Sequence, residues 1–129
     1  MNYELDWAWL GSAGGNIEVV GILTGIPEED ILIAQKEVWR VNKYKDLKSW
    51  PGPAFIKMFR FLGFNTNDRF IKFDPNTDKP CIMRTTCYRK NYWFVWIYDG
   101  EHVNNTYTLA EWKKEYKKFK ITSMLQVWI

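Results

Sequence analysis

Among the side chains that could act as nucleophile or base, Cys81, Cys87 and the single histidine, His102, come first. A cysteine can attack a carbonyl carbon once a base within hydrogen-bond reach has taken its proton. Both cysteines, however, sit in an apolar stretch, where cysteine usually serves as a small buried hydrophobe. If they share a strand, their six-residue spacing separates them by roughly 20 Å, well beyond the ~7 Å that a disulfide can bridge. Reduced thiols in a reducing compartment are therefore expected. A thiol hydrolase built on Cys81 or Cys87 with His102 is the catalytic alternative. The three residues lack the spacing of a metal site. Ser12 has no second histidine to activate it. Gly11, Gly14 and Gly15 lack the Lys-Ser/Thr that completes a phosphate-binding loop. No cofactor is expected.

Binding chemistry is better represented. Lys36, Arg40, Lys43, Lys45 and Lys48 form one basic stretch, and Lys113, Lys114, Lys117, Lys118 and Lys120 form another. Trp39, Trp50, Trp112 and two tyrosines are interleaved with them, as they would be on a face where bases stack between phosphate contacts. The plainer reading is a solvated helix face. The chain carries 15 acids, and its pI of 8.8 falls short of the ~9 typical of a basic nucleic-acid-binding domain. Trp39, Trp50 and Trp112, together with Lys113 and Lys117, also suit a protein interface, where aromatic anchors sit inside a polar rim. Another protein or a second copy of the chain is the expected partner, with nucleic acid as the alternative.

The elements that must position these residues follow from length and pattern. The sequence has 129 residues, 47% of them hydrophobic and 18% aromatic, with a net charge of +3. That suits one domain over residues 1–129 with a substantial core. No apolar run is long enough for a membrane span, and the first residues do not read as a signal peptide. Asn16 opens a helix that Gly25 ends. Pro27 and the acids after it start a second, buried along Ile31, Ala34 and Val38. Phe55, Ile56, Phe59 and Leu62 line a third, stopped by Gly63. The period then changes. Arg69–Phe73, Cys81–Tyr88 and Tyr92–Tyr98 read as strands, the last two joined by Arg89-Lys90-Asn91. Asp99-Gly100 marks a turn into a return strand over Glu101–Asn104. Thr108 caps a helix over Leu109–Phe119 with Glu111 at the capping-box position, and Ile121–Ile129 closes the chain as a strand. Trp7, Trp9, Trp93, Trp96 and Trp128 are expected in the core. Helices first, then a mostly antiparallel sheet, predicts an α+β fold.

Several strings resemble papain-like cysteine peptidases, especially the small bacteriocin-processing type. They are Ile17-Glu18-Val19-Val20-Gly21-Ile22-Leu23-Thr24-Gly25-Ile26-Pro27-Glu28-Glu29, Phe59-Arg60-Phe61-Leu62-Gly63-Phe64, Trp93-Phe94-Val95-Trp96-Ile97-Tyr98-Asp99-Gly100 and Val103-Asn104-Asn105-Thr106. The resemblance implies N-terminal helices packed on an antiparallel sheet. It places the nucleophile at Gly15 or Asn16, the general base at Trp93 and the orienting residue at Asn104. The oxyanion-hole position falls near Trp9. Neither Gly15 nor Asn16 can attack a carbonyl, and an indole offers no basic nitrogen. Only Asn104 fits its role. The resemblance thus implies a non-catalytic relative acting through protein–protein interaction. The small size and type of sequence suit a phage or viral accessory or virion component, located in the host cytoplasm or the virion.

Overall fold

The computed structural model describes residues 15–45, 50–103 and 107–129. Three helices come first: α1 (Gly15–Thr24), α2 (Glu28–Asn42) and α3 (Gly52–Phe61). α1 ends where Gly25 takes a φ of 73° and donates its N–H to the Gly21 carbonyl at 2.8 Å. Pro27 is the N-cap of α2 rather than its first helical residue. Glu28, Glu29 and Asp30 fill the first turn, where carboxylates complement the helix dipole. Ile31, Ala34 and Val38 are buried as expected. α3 buries Ala54, Phe55, Met58 and Phe59, while Ile56 and Leu62 pack only half-buried at its flank.

The remaining elements are β1 (Asn65–Thr66), β2 (Cys81–Cys87), β3 (Lys90–Trp96), β4 (His102–Val103), β5 (Tyr107–Thr108), α4 (Leu109–Glu115) and β6 (Lys120–Trp128). The antiparallel main sheet has the order β1-β6-β2-β3, and β4 and β5 form a separate pair. The fold is α+β. Register decides which side chains face which layer, because alternate residues of a strand point to opposite faces. Ile82 stands between Val95 and Leu125, and Met83 between Phe94 and Met124. Ile82, Trp93, Val95, Leu125 and Val127 join the core formed with α1, α2 and α3. Cys81, Met83, Phe94, Trp96 and Met124 form a second core beneath Trp112 of α4. Both faces of the sheet are therefore buried over Cys81–Met83 and Trp93–Trp96.

Four elements differ from their sequence readings. Arg69–Phe73 is not a strand; only Ile71 pairs, with Met124, at 2.8 Å in both directions. The segment instead serves both cores: Phe70 meets Trp93 at 5.5 Å, and Phe73 meets Trp96 at 5.0 Å. The return strand is the short β4: Val103 pairs back with Tyr98 across the Asp99-Gly100 turn as expected, but the strand's main partner is β5. The Thr108 cap forms as expected, its hydroxyl accepting from the Glu111 N–H at 3.2 Å. α4 nevertheless stops at Glu115 rather than Phe119, which lets Phe119 reach Phe94 at 4.9 Å.

The fourth difference is the β2–β3 turn. Cys87 pairs with Lys90, so the loop is Tyr88-Arg89 alone. Both residues lie at positive φ, 50° and 65°, as a type I′ turn requires. Asn-Gly or Asp-Gly normally supplies that geometry, because a larger L-residue is strained there. Replacing Tyr88→Asn together with Arg89→Gly is expected to raise unfolding stability by about 1–2 kcal/mol, read as a higher denaturation midpoint at unchanged m-value.

Candidate functional site

Of the positions that the resemblance marks for chemistry, those among the described residues, Gly15, Asn16 and Trp93, are buried. Gly15 and Asn16 form the first turn of α1 and are buried. α1 packs against β3, the strand carrying Trp93. The Trp93 ring lies 4.7 Å from Phe55 and 5.5 Å from Phe70. It is a core aromatic with no basic atom to offer. Asn104, Ser12, Trp7 and Trp9 lie outside the described residues, as does the side chain of His102.

Cys81 and Cys87 stand at opposite ends of β2, both buried and both free thiols. Cys81 has no exposed surface, and burial pushes its thiol well above the ordinary value of 9.0. A reactive cysteine needs the opposite, an electropositive and partly exposed setting that favours thiolate. Among the described residues no group of three or more His, Cys, Asp or Glu side chains comes together in a metal-binding arrangement.

The three tryptophans expected as surface anchors are core residues. Trp39, Trp50 and Trp112 are only 7%, 3% and 3% exposed. Trp39 lies 5.0 Å from Trp50, and Trp50 lies 5.0 Å from Phe55. Trp112 meets Trp96 edge to face at 4.9 Å, an orientation that ring quadrupoles favour. Their charged sequence neighbours point outward while the indoles turn in. Lys113 and Lys117 are exposed, as expected.

Two surfaces escaped the sequence reading. On α2 and the end of α3, Leu32, Ile33, Val41 and Phe61 are 42–68% exposed. Phe61 borders two adjoining shallow grooves, one with Ile33 and Leu62, the other with Val41, Asn42 and Lys57. The 3.6-residue period sets Ile33 and Val41 beside the buried stripe of Ile31, Ala34 and Val38, on the flank facing Phe61. The second surface lies at the β2–β3 tip. There Tyr88 is 81% exposed, and Lys120 pairs with Thr86 one strand over. Only the register shows that Lys120 neighbours Arg84 and the hairpin tip.

No family model, curated protein or solved structure matches this chain.

Truncating Trp112→Ala is expected to cost about 3–5 kcal/mol of stability, the usual loss for a buried aromatic, measured by chemical denaturation. The raised thiol of Cys81 makes stability pH-dependent. The folded chain keeps that proton, while the unfolded chain releases it near its ordinary value. Stability is therefore fully present below about pH 8 and falls above about pH 9, by up to about 1.4 kcal/mol per pH unit for this one group. The decline is expected to be shallower in Cys81→Ala, and native Cys81 should resist iodoacetamide until the protein unfolds.

Proposed function

We propose that this protein is a non-catalytic interaction domain on a papain-like scaffold, and that it self-associates through α2. One observation carries the reading. Among the described residues, three exposed large hydrophobic side chains, Ile33, Val41 and Phe61, border two adjoining grooves on α2 and the end of α3. Isolated exposed apolar side chains need no explanation, but a contiguous set is what interaction sites use.

Charge along α2 favours a second copy as the occupant. Glu28, Glu29 and Asp30 occupy its start; Lys36, Arg40 and Lys43 line a groove along its second half with Leu32 and Tyr44. Ile33, Glu37 and Val41 fall at i, i+4 and i+8 on one face. Two copies packed antiparallel about Glu37 bring Ile33 of each against Val41 of the other. The acidic start of each helix then meets the basic end of its partner, the self-complementarity that a two-fold interface demands. Glu37, near the axis, is bound by Arg40, whose Nε donates to it at 3.1 Å. That bond holds the Glu37 carboxyl below its ordinary value, so each charge at the axis arrives already paired.

The papain-like part of the proposal rests on the sequence strings and on the packing of α1, which starts at Gly15, against the strand bearing Trp93. None of the described helices is long and apolar enough to cross a membrane.

Analytical ultracentrifugation tests the self-association. The wild type is expected to sediment as a dimer at micromolar concentration. Ile33→Asp with Val41→Asp should weaken association at least roughly 30-fold, equivalent to about 2 kcal/mol, without lowering the unfolding midpoint. A wild type that stays monomeric at the highest soluble concentration rejects the reading.

A further inference from the structure

We infer that the tip of the β2–β3 hairpin and the sheet ledge behind it form a binding site for single-stranded nucleic acid. The inference stands on a different surface from the α2 ridge and does not depend on self-association.

Charge distribution comes first. Residues 84–92 and 116–123 together contain six Lys or Arg and no acid. The whole chain has a net charge of +3, so everything outside these two segments is net −3. The fold brings the segments together: Thr86 pairs with Lys120, and Arg84 with Ser123. A mildly basic protein thus concentrates its positive charge at one end of one sheet.

The shape comes from strand alternation. Arg84 shares a face with Ile82, the face that α1, α2 and α3 cover further along. Toward the hairpin tip, that face carries exposed Arg84 and Lys120 in place of buried hydrophobics. The sheet therefore outruns its helical layer and leaves a polar ledge. Arg84 also lines a groove with Arg69, Phe70 and Ile56, so a basic floor meets a wall that includes a half-buried ring. The acid of that groove, Asp68, is bound by Arg60 at 2.9 Å.

The turn supplies the third element. Tyr88 holds an aromatic ring in solvent on a turn residue at positive φ, and Arg89 beside it is also at positive φ. A sequence selected for stability alone would place Asn-Gly there. Strain kept at an exposed aromatic-basic pair points to a use for that pair. Cations that follow a phosphate chain, together with rings that receive unstacked bases, are the parts that single-strand binding requires. A duplex keeps its bases stacked and offers nothing to Tyr88.

Fluorescence anisotropy with labelled single strands of about 12 nucleotides, oligo-dT and oligo-rU, tests the site; grooves of this kind span ~4–16 nucleotides. Binding is expected to weaken steeply as salt rises. Arg84→Gln with Lys120→Gln should lower the salt slope by about 1.4, at ~0.7 for each phosphate that is no longer neutralised. Tyr88→Ala should weaken binding roughly tenfold. The Tyr88→Asn, Arg89→Gly variant should lose affinity although its stability rises, which separates damage to the site from damage to the fold. Lys72→Gln with Lys79→Gln, ahead of the Cys81 end of β2 and away from the hairpin, is the charge-matched control and should bind like the wild type. Any of the following overturns the proposal: no binding at low salt, equal affinity for a duplex of the same length, equal weakening by the Lys72/Lys79 control, or binding to anionic vesicles without binding to oligonucleotide.

Discussion

A four-stranded sheet buried on both faces over Cys81–Met83 and Trp93–Trp96 is the constraint on which the rest of the molecule depends. Each strand must supply apolar side chains in both directions, and two separate sets of elements must cover them. The aromatic residues meet that demand. On one side, rings run from Tyr44 through Trp39, Trp50 and Phe55 to Trp93. On the other, Phe119, Phe94, Trp112 and Trp96 meet mostly edge to face, with Phe73 against the last. Large flat rings fill the space between a sheet and short helices with few residues. A chain of this length can therefore complete two cores. Among the described residues the indole N–H groups of Trp39, Trp93, Trp96 and Trp112 find no acceptor. The packing area of those rings offsets that cost.

The same constraint explains what could be read from the sequence. α1, α2 and α3 were legible because each shows a helical apolar stripe and a local stop, such as Gly25, or a local start, such as Pro27-Glu28-Glu29. β3 was legible as a continuous apolar run over Tyr92–Trp96, and β2 and β6 as shorter apolar pieces, Cys81–Met83 and Met124–Leu125. Over Cys81–Met83 and Trp93–Trp96 neither face is wet, so alternation was absent there, and this hid the assignment of Trp93 and Trp96 to opposite layers. Trp39, Trp50 and Trp112 were misjudged because adjacent lysines say nothing about where an indole points. Arg69–Phe73 resembled a strand because its rings alternate, but they alternate between two cores rather than between core and solvent. The hairpin tip was illegible for a related reason. Tyr88-Arg89 violates the local turn code, so only pairing across the turn fixes where β2 ends.

The positions marked by family resemblance thus lie, where they are described, among side chains that pack rather than react. Gly15, Asn16 and Trp93 are buried, and the one strongly perturbed thiol, Cys81, is perturbed in the direction that suppresses nucleophilicity. Burial explains both the thiol and the ring: a position enclosed by a core can hold volume, while a nucleophile needs access. The surfaces fit for binding are instead found where the layers end, at the outward ridge of α2 and at the hairpin tip.

Those two surfaces divide the chemistry between them. The α2 ridge sets Ile33 and Val41 on either side of the Arg40-bound Glu37 and carries opposite charge at its two ends, which suits a surface that must match itself. The hairpin tip has one sign of charge, one exposed ring and a strained turn, which suits a flexible polyanion and would repel a second copy of itself. If both surfaces operate, two-fold pairing through α2 duplicates the tip, and one strand of sufficient length can engage both copies. Joining two weak sites on one scaffold raises the effective concentration of the second site, so affinity rises without any new interaction. Modest charge on each copy is then enough, and a strongly basic composition is not required of such a protein.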